Sequence, residues 1–442
     1  MILRGAEFIQ FFSGRSYWSR LRILSLAVLG VVVTVAAANL WAWHHYREAN
    51  RLVDRYLFAK AYAEYTECLK VWRWSASTHL LAARTARRGA LYSDAARHLT
   101  EFGRLQGSDS DTPVALALER LLLRAQSGDI SEVEEVLWQF VKKDTPETPL
   151  ILEAMAHGYL RMLRLGTALR CLRLLLEREP DNIEALVMRG WIQEGGGDPD
   201  EAGKDYRRAL ALNSERDDAR QGLARVLIHD SPDKSCSLYS EVLARHPDNR
   251  EALEGLAEAY RALGEPMKAR PIFEALLSKD PCDSKALTGL GNLALAAGNA
   301  AEGESLLRRA IAADPGNADA HYQLYLCLIQ EPGREAESAA ERDTHKRIET
   351  DRARLAEIAA KKMTRTPNDP DLHSELGNIY LRNGKPEIGL RWLYSALKLD
   401  PAHQPSHQAL FDYFKQTGEL ERAEQHRRQL HASAANPPPA RP

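Results

Sequence analysis

Beyond residue 44, apolar residues recur at three- and four-residue spacing, and no stretch alternates long enough to form a strand. The chain therefore reads as one helix after another. Its start is different. From Ile23 to Trp43 the run ILSLAVLGVVVTVAAANLWAW has no charge and no polar stripe. At about 1.5 Å per residue it matches the ~30 Å hydrocarbon core of a bilayer. Tyr17 and Trp18 precede the run, and Trp41, Trp43 and Tyr46 close it, where aromatic side chains suit the two interfaces. We read residues 23–43 as a retained transmembrane helix; Ala36–Ala38 leaves signal-peptidase cleavage as the competing reading. Arg4, Arg15, Arg20 and Arg22 precede the span, against Arg47, Arg51 and Arg55 after it. That excess puts residues 1–22 in the cytoplasm and the remainder on an extracytoplasmic, periplasm-like side.

A fixed ruler runs through the helical part. Pro247, Pro281 and Pro315 are spaced by 34, as are Gly264 and Gly298, Gly384 and Gly418, and Pro367 and Pro401. Within one period the residues describe two helices. Between Pro370 and Pro401, Leu376, Gly377 and Tyr380 lie on one face of a first helix, and Gly384 ends it in a left-handed conformation. Leu393, Ala396 and Leu397 form the apolar face of a second helix, which Pro401 stops. Leu253, Leu256, Ala257, Tyr260, Gly264, Ala269, Phe273 and Pro281 repeat this layout. A period of this length marks a repeat architecture.

The pattern Leu-Gly-x-x-Tyr, then alanine, an aromatic and a closing proline resembles the tetratricopeptide repeat family. With the apolar run, it resembles a single-pass, membrane-anchored bacterial member. The resemblance implies an all-α fold: an α-solenoid, a right-handed superhelix of antiparallel helix pairs, preceded by one transmembrane helix. Residues 44–146 are expected to hold degenerate repeats, with AYAEYTECLKVW and LYSDAARHLTEFGRL as second helices. Regular repeats are expected over 147–330 and 366–431. Residues 331–365 form a longer, charged, solvated helix inside one repeat, with Glu341–His345 and Glu349–Arg352 as pairs along it. Residues 432–442, ending in NPPPARP, have too little apolar content to fold and are expected to form a disordered tail.

Composition narrows the chemistry. Lys plus Arg is 59 against 61 Asp plus Glu, a net charge of −2 that gives no general reason to bind nucleic acid. Cys68, Cys171, Cys236, Cys282 and Cys327 are scattered without a CxxC pair and are read as small buried hydrophobes. No phosphate-binding, dinucleotide, zinc-protease or nucleophile-elbow motif is present. EGGGDPD, 194–200, falls at an inter-helix turn, His44-His45 at the end of the apolar run, and the other histidines are scattered. We therefore expect no enzyme activity, cofactor, metal or small-molecule substrate.

Binding of other proteins or peptides is the role the resemblance implies, because in that family the first helices line a concave face. Counting outward positions on those helices gives Glu153, His157, Arg161, Val187, Trp191, Gln221, Arg225, Glu254, Glu258, Arg261, Thr288, Asn292, Tyr322, Ser374 and Asn378. Trp191 and Tyr322 are candidate anchors, since large aromatics on such a face tend to hold a partner. Arg225, Glu258, Arg261, Asn292 and Asn378 complete the candidate partner site. Asn292 and Asn378 also fall on the asparagine position of a carboxylate clamp known in the family. Leu326 interrupts that series, and Thr288 and Ser374 stand where its lysines would be. The expected function is a membrane-anchored scaffold organising an envelope protein complex, with a non-catalytic subunit of an export or polysaccharide/cell-wall assembly machine as the alternative.

Overall fold

Each regular repeat starts and turns on the same local signals. Asn182, Asn249, Asp283 and Asn317 cap first helices: their side-chain oxygens accept from the backbone N–H of Ala185, Ala252, Ala286 and Ala320 at 2.9–3.0 Å. The turns between first and second helices carry Gly197, Gly264, Gly298, Gly384 and Gly418 at φ of +72° to +82°. Pro199, Pro266 and Pro386 then begin the second helices at their first position. Turns without glycine use Tyr56, Ala90 and Leu163 in the same left-handed region, at φ of 54° to 60°.

The computed structural model describes residues 14–106, 112–128 and 130–435, and these contain no strand. It divides into two units, residues 1–129 and 130–442. The first unit contains α1 (Gly14–Asp54), α2 (Phe58–Val71), α3 (Ala76–Arg88), α4 (Tyr92–Gln106) and α5 (Thr112–Ser127). The expected break after Trp43 is absent. Instead α1 continues without interruption, and its last turns form the first helix of the first pair, with Ala42, Ala49 and Leu52 buried. α2 runs antiparallel to it: Tyr65 donates to Asn50 at 2.8 Å, Cys68 to the Ala42 carbonyl at 3.2 Å, and Trp72 to Asn39 at 2.9 Å. Upstream of Ala38 the helix is exposed on all sides from Leu24 onward. It is long and apolar enough to cross a membrane, a test that a signal sequence also passes. α2 and α4 are the expected second helices. Their core gathers Ala49, Tyr62, Tyr65, Ala82, Ala86 and Ala95.

The second unit starts at Ile130, earlier than the expected boundary at 147, and includes α6 (Glu134–Lys143). Antiparallel pairs follow: α7 (Thr148–Arg161) with α8 (Leu165–Arg178), α9 (Ile183–Gly195) with α10 (Pro199–Leu212), α11 (Asp217–Leu227) with α12 (Pro232–Arg245), and α13 (Arg250–Ala262) with α14 (Pro266–Lys279). Next come α15 (Ser284–Ala296) with α16 (Ala300–Ala313), and α17 (Ala318–Leu328) with the longer α18 (Glu335–Glu357). A π-helical turn, Ile358–Lys362, and the short α19 (Met363–Arg365) lead to α20 (Pro370–Arg382) with α21 (Pro386–Leu399), and α22 (Gln404–Gln416) with α23 (Leu420–Ala435). Ala269 and Ala310 are fully buried, as their small-residue positions require. Four of the cysteines are buried and Cys282 is exposed.

Two expectations change here. The insertion is not solvated along its length. Ile348 and Asp351 are buried, and Ile358 and Met363 join Leu372, Leu376, Ile379 and Trp392 in a core that also packs against Met162 and Leu163 of the α7–α8 turn. Glu341 pairs with His321 at 2.5 Å rather than with His345, while Glu349 pairs with Arg352 at 2.8 Å as the spacing predicts. The last helix reaches Ala435, four residues into the expected tail; residues 436–442 lie outside the described residues, as do residues 1–13.

Candidate partner-binding groove

Two adjoining cavities lie along the first helices α9, α11, α13 and α15. The smaller, about 360 Å³, is lined by His157, Val187, Trp191, Tyr206, Gln221 and Arg225 among others. The larger, about 440 Å³, shares Arg225 and Glu251 with it and extends over Glu254, Glu258, Thr288, Asn292 and Asp319. Ring and glycine alternate along the floor. Tyr206 lies against Gly222, Tyr239 against Gly255, and Phe273 against Gly289, so close that an added Cβ would meet the ring at 2.2–2.4 Å. Glycine here lets the second helix of one repeat approach the first helix of the next.

Trp191 is 52% exposed and therefore stands in the groove rather than in the core. Arg225 is fixed by ion pairs to Glu194 at 2.7 Å and to Glu251 at 2.5 Å, and so joins α9, α11 and α13. Burial alone would lower its pKa, but the Glu194 hydrogen bonds outweigh this and raise it, so the guanidinium stays charged. The same Glu194 accepts from the Tyr206 hydroxyl, whose pKa is pushed up first by burial and then by that carboxylate. Glu258 pairs along its own helix with Arg261, at the surface. Lys285 pairs with Glu254 at 2.9 Å.

Polar capacity is left open. The amide oxygens of Gln221 and Asn292 are buried and make no hydrogen bond. A buried acceptor without a donor costs free energy, on the order of 1–3 kcal/mol. Glu254 and Glu258 are already paired, so beside Asp319 the larger cavity offers chiefly acceptors, which suits N–H donors.

Trp191, Arg225, Glu258 and Asn292 come together here, and Arg261 stands just beyond Glu258. Tyr322 and Asn378 do not join them. The Tyr322 ring lies 5.0 Å from that of His345, at the seam of α17 and α18, and Asn378 donates to the Ser374 carbonyl of its own helix. Glu153, Thr288 and Ser374 are buried, although counting placed them outward. Counting missed Glu251, Lys285 and Asp319. They sit in the first turns of their helices, where the neighbouring repeat leaves the side chain over the groove. Among the described residues no group of three or more metal-binding side chains is assembled.

The family model for the tetratricopeptide repeat matches residues 153–219, 231–284, 257–318 and 288–341. No curated protein matches the chain in sequence. Solved structures are similar to it at low identity and low TM-score. A tetratricopeptide repeat protein from Parabacteroides merdae ATCC 43184 is 17% identical over 65% of this chain and 99% of its own, with a TM-score of 0.34. YrrB, described as having an unusual peptide-binding site, is 21% identical over 43% of this chain and 97% of its own, with a TM-score of 0.29. The human IFIT1 dimer with m7Gppp-AAAA is 16% identical over 82% of this chain and 91% of its own, with a TM-score of 0.38.

Proposed function

Because the chain is a tetratricopeptide repeat protein, we propose that it is a membrane-anchored scaffold that holds a peptide segment of a partner protein in the groove along α9 to α15. The observation that carries this reading is the pair of adjoining cavities, in which buried amide oxygens await donors. The partner segment presents backbone N–H groups to Gln221 and Asn292. It carries a lysine or arginine toward Asp319, and an apolar side chain against Trp191. Such a segment satisfies acceptors that make no hydrogen bond in the isolated protein. α1 anchors the scaffold, and the excess of arginines before it favours an extracytoplasmic position for the repeats.

Trp191→Ala tests the groove. A half-exposed side chain that makes no core contribution should leave melting nearly unchanged, while capture of the partner falls about tenfold or more. Unchanged capture by the folded variant removes Trp191 from the site. Carbonate extraction tests the anchor: the intact chain is expected in the membrane pellet, and a soluble chain beginning at Asn39 contradicts retention.

A further inference from the structure

α1 is one continuous helix whose exposed apolar residues run from Leu24 to Trp43, enough for the ~30 Å hydrocarbon core of a bilayer but overlapping the start of the repeat fold. The about 20 residues needed to span that core, counted from Leu24, end at Trp43. The repeat fold has already begun by then: Ala42 is buried, and Asn39 accepts a hydrogen bond from Trp72 at 2.9 Å. When α1 spans the bilayer, the α2–α3 loop is drawn to the interface with it.

The loop is composed for that position. It reads Trp72-Arg73-Trp74-Ser75. Trp74 is 62% exposed, and the guanidinium groups of Arg73 and Arg104 lie 5.0 and 5.4 Å from its ring centre. Trp41 and Trp43 are also exposed at this level of α1. Exposed indoles beside long basic side chains are unfavourable against bulk water but suited to the headgroup layer, where the ring is half desolvated and the cations reach outward. Lys70 and Arg104 are paired with Glu67 and Glu101, so this collar has little excess charge and fits the interface itself rather than anionic lipid in particular.

We infer that the Trp72–Ser75 loop is a second membrane contact, seating Trp74 in the lipid headgroup layer beside α1 and docking the first repeat directly on the bilayer. This rests on the reading of α1 as a retained anchor. The test uses the full chain in its native membrane, with photoreactive benzoylphenylalanine in place of Leu29, Trp74 or Trp191 in three separate variants. Position 29 reports the anchor, position 74 the loop, and position 191 the background. The expected result is phospholipid adducts at 29 and 74, each several-fold above 191. Adducts at 29 with none above background at 74 overturn the loop contact and leave the anchor standing. A protein–protein adduct at 74 in place of lipid also overturns it, in favour of a second copy or another protein covering the collar. Background yield at both 29 and 74 removes the anchor and the inference together.

Discussion

His79, His321, His373 and His407 occupy one position of the repeat and share one arrangement. In each, Nε2 lies 2.8–3.2 Å from the carbonyl six residues earlier, at Arg73, Pro315, Pro367 and Pro401. A carbonyl only accepts, so Nε2 carries the proton. Nδ1 then faces the second helix, meeting His98, Glu341, Ser395 and His426 respectively. These histidines looked scattered in the sequence because the insertion and the degenerate repeats break their 34-residue interval. His98 must donate its Nδ1 proton to His79, which leaves its Nε2 to face the Tyr62 hydroxyl at 3.3 Å. Burial, reinforced by the neighbouring His79, pushes the pKa of His98 down to about 4. The unfolded chain takes up this proton near pH 6.5, about two and a half units before the folded one. Stability from this group is therefore fully present above pH 6.5 and lost as pH falls toward 4, by roughly 3 kcal/mol at the end of the window. Protection factors in α3 and α4, corrected for the intrinsic pH dependence of exchange, should fall across that window, and His98→Gln should remove much of the dependence. A flat pH profile in the unmodified protein contradicts a neutral His98.

Helix pairs were legible wherever glycine and proline keep the ruler, because those residues impose backbone conformations that few others adopt. Tyr56 and Ala90 make the same left-handed turn without glycine, so the first repeats gave a weaker signal for an equivalent geometry. The end of α1 was misplaced for a different reason. Residues 39–43 are apolar enough to belong to a membrane span and also small or aromatic enough to pack against α2, and hydrophobicity alone does not separate the two environments. Between repeats, the ring-on-glycine contact sets how closely helices stack. A Cβ on Gly289 would lie 2.4 Å from Cζ of Phe273, a ring only 3% exposed and unable to move aside. Gly289→Ala should therefore destabilise the second unit by about 1–3 kcal/mol through overpacking, read from chemical denaturation. Because Phe273 and Gly289 also line the larger cavity, partner affinity should fall in the same variant. Unchanged stability would show that this interface is looser than its distances imply.

A solenoid is expected to transmit damage only to neighbouring repeats. The second unit departs from that rule. The insertion carries Ile358 and Met363 into a core with α20 and α21, and this core also packs against Met162 and Leu163, about two hundred residues earlier in the chain. Asp351 of α18 meanwhile accepts from Arg382 and, at 2.8 Å, from Asn383, which ties α20 beside the long helix. Charge-rich helical spacing concealed these contacts: the buried residues of α18 are few and lie among exposed acids and bases, so the segment read as solvated. Ile358→Ala should cost about 2–5 kcal/mol as a buried large-to-small change. It should speed hydrogen exchange in both α20 and the α7–α8 pair, while α13 to α15 change less. Confinement of the effect to α18–α21 would restore purely one-dimensional stacking.

The groove was legible in part, since Trp191, Arg225, Glu258 and Asn292 followed from counting outward positions, whereas Tyr322 and Asn378 were drawn aside by contacts with the insertion and with their own helix. If a partner segment lies on the first helices of the second unit, hydrogen-exchange footprinting of the full protein, with and without the captured partner, will locate it there. New protection should concentrate in α9, α11, α13 and α15 and be reduced by Trp191→Ala. Protection confined to the second helices α10, α12, α14 and α16, with the groove unchanged, would contradict that placement.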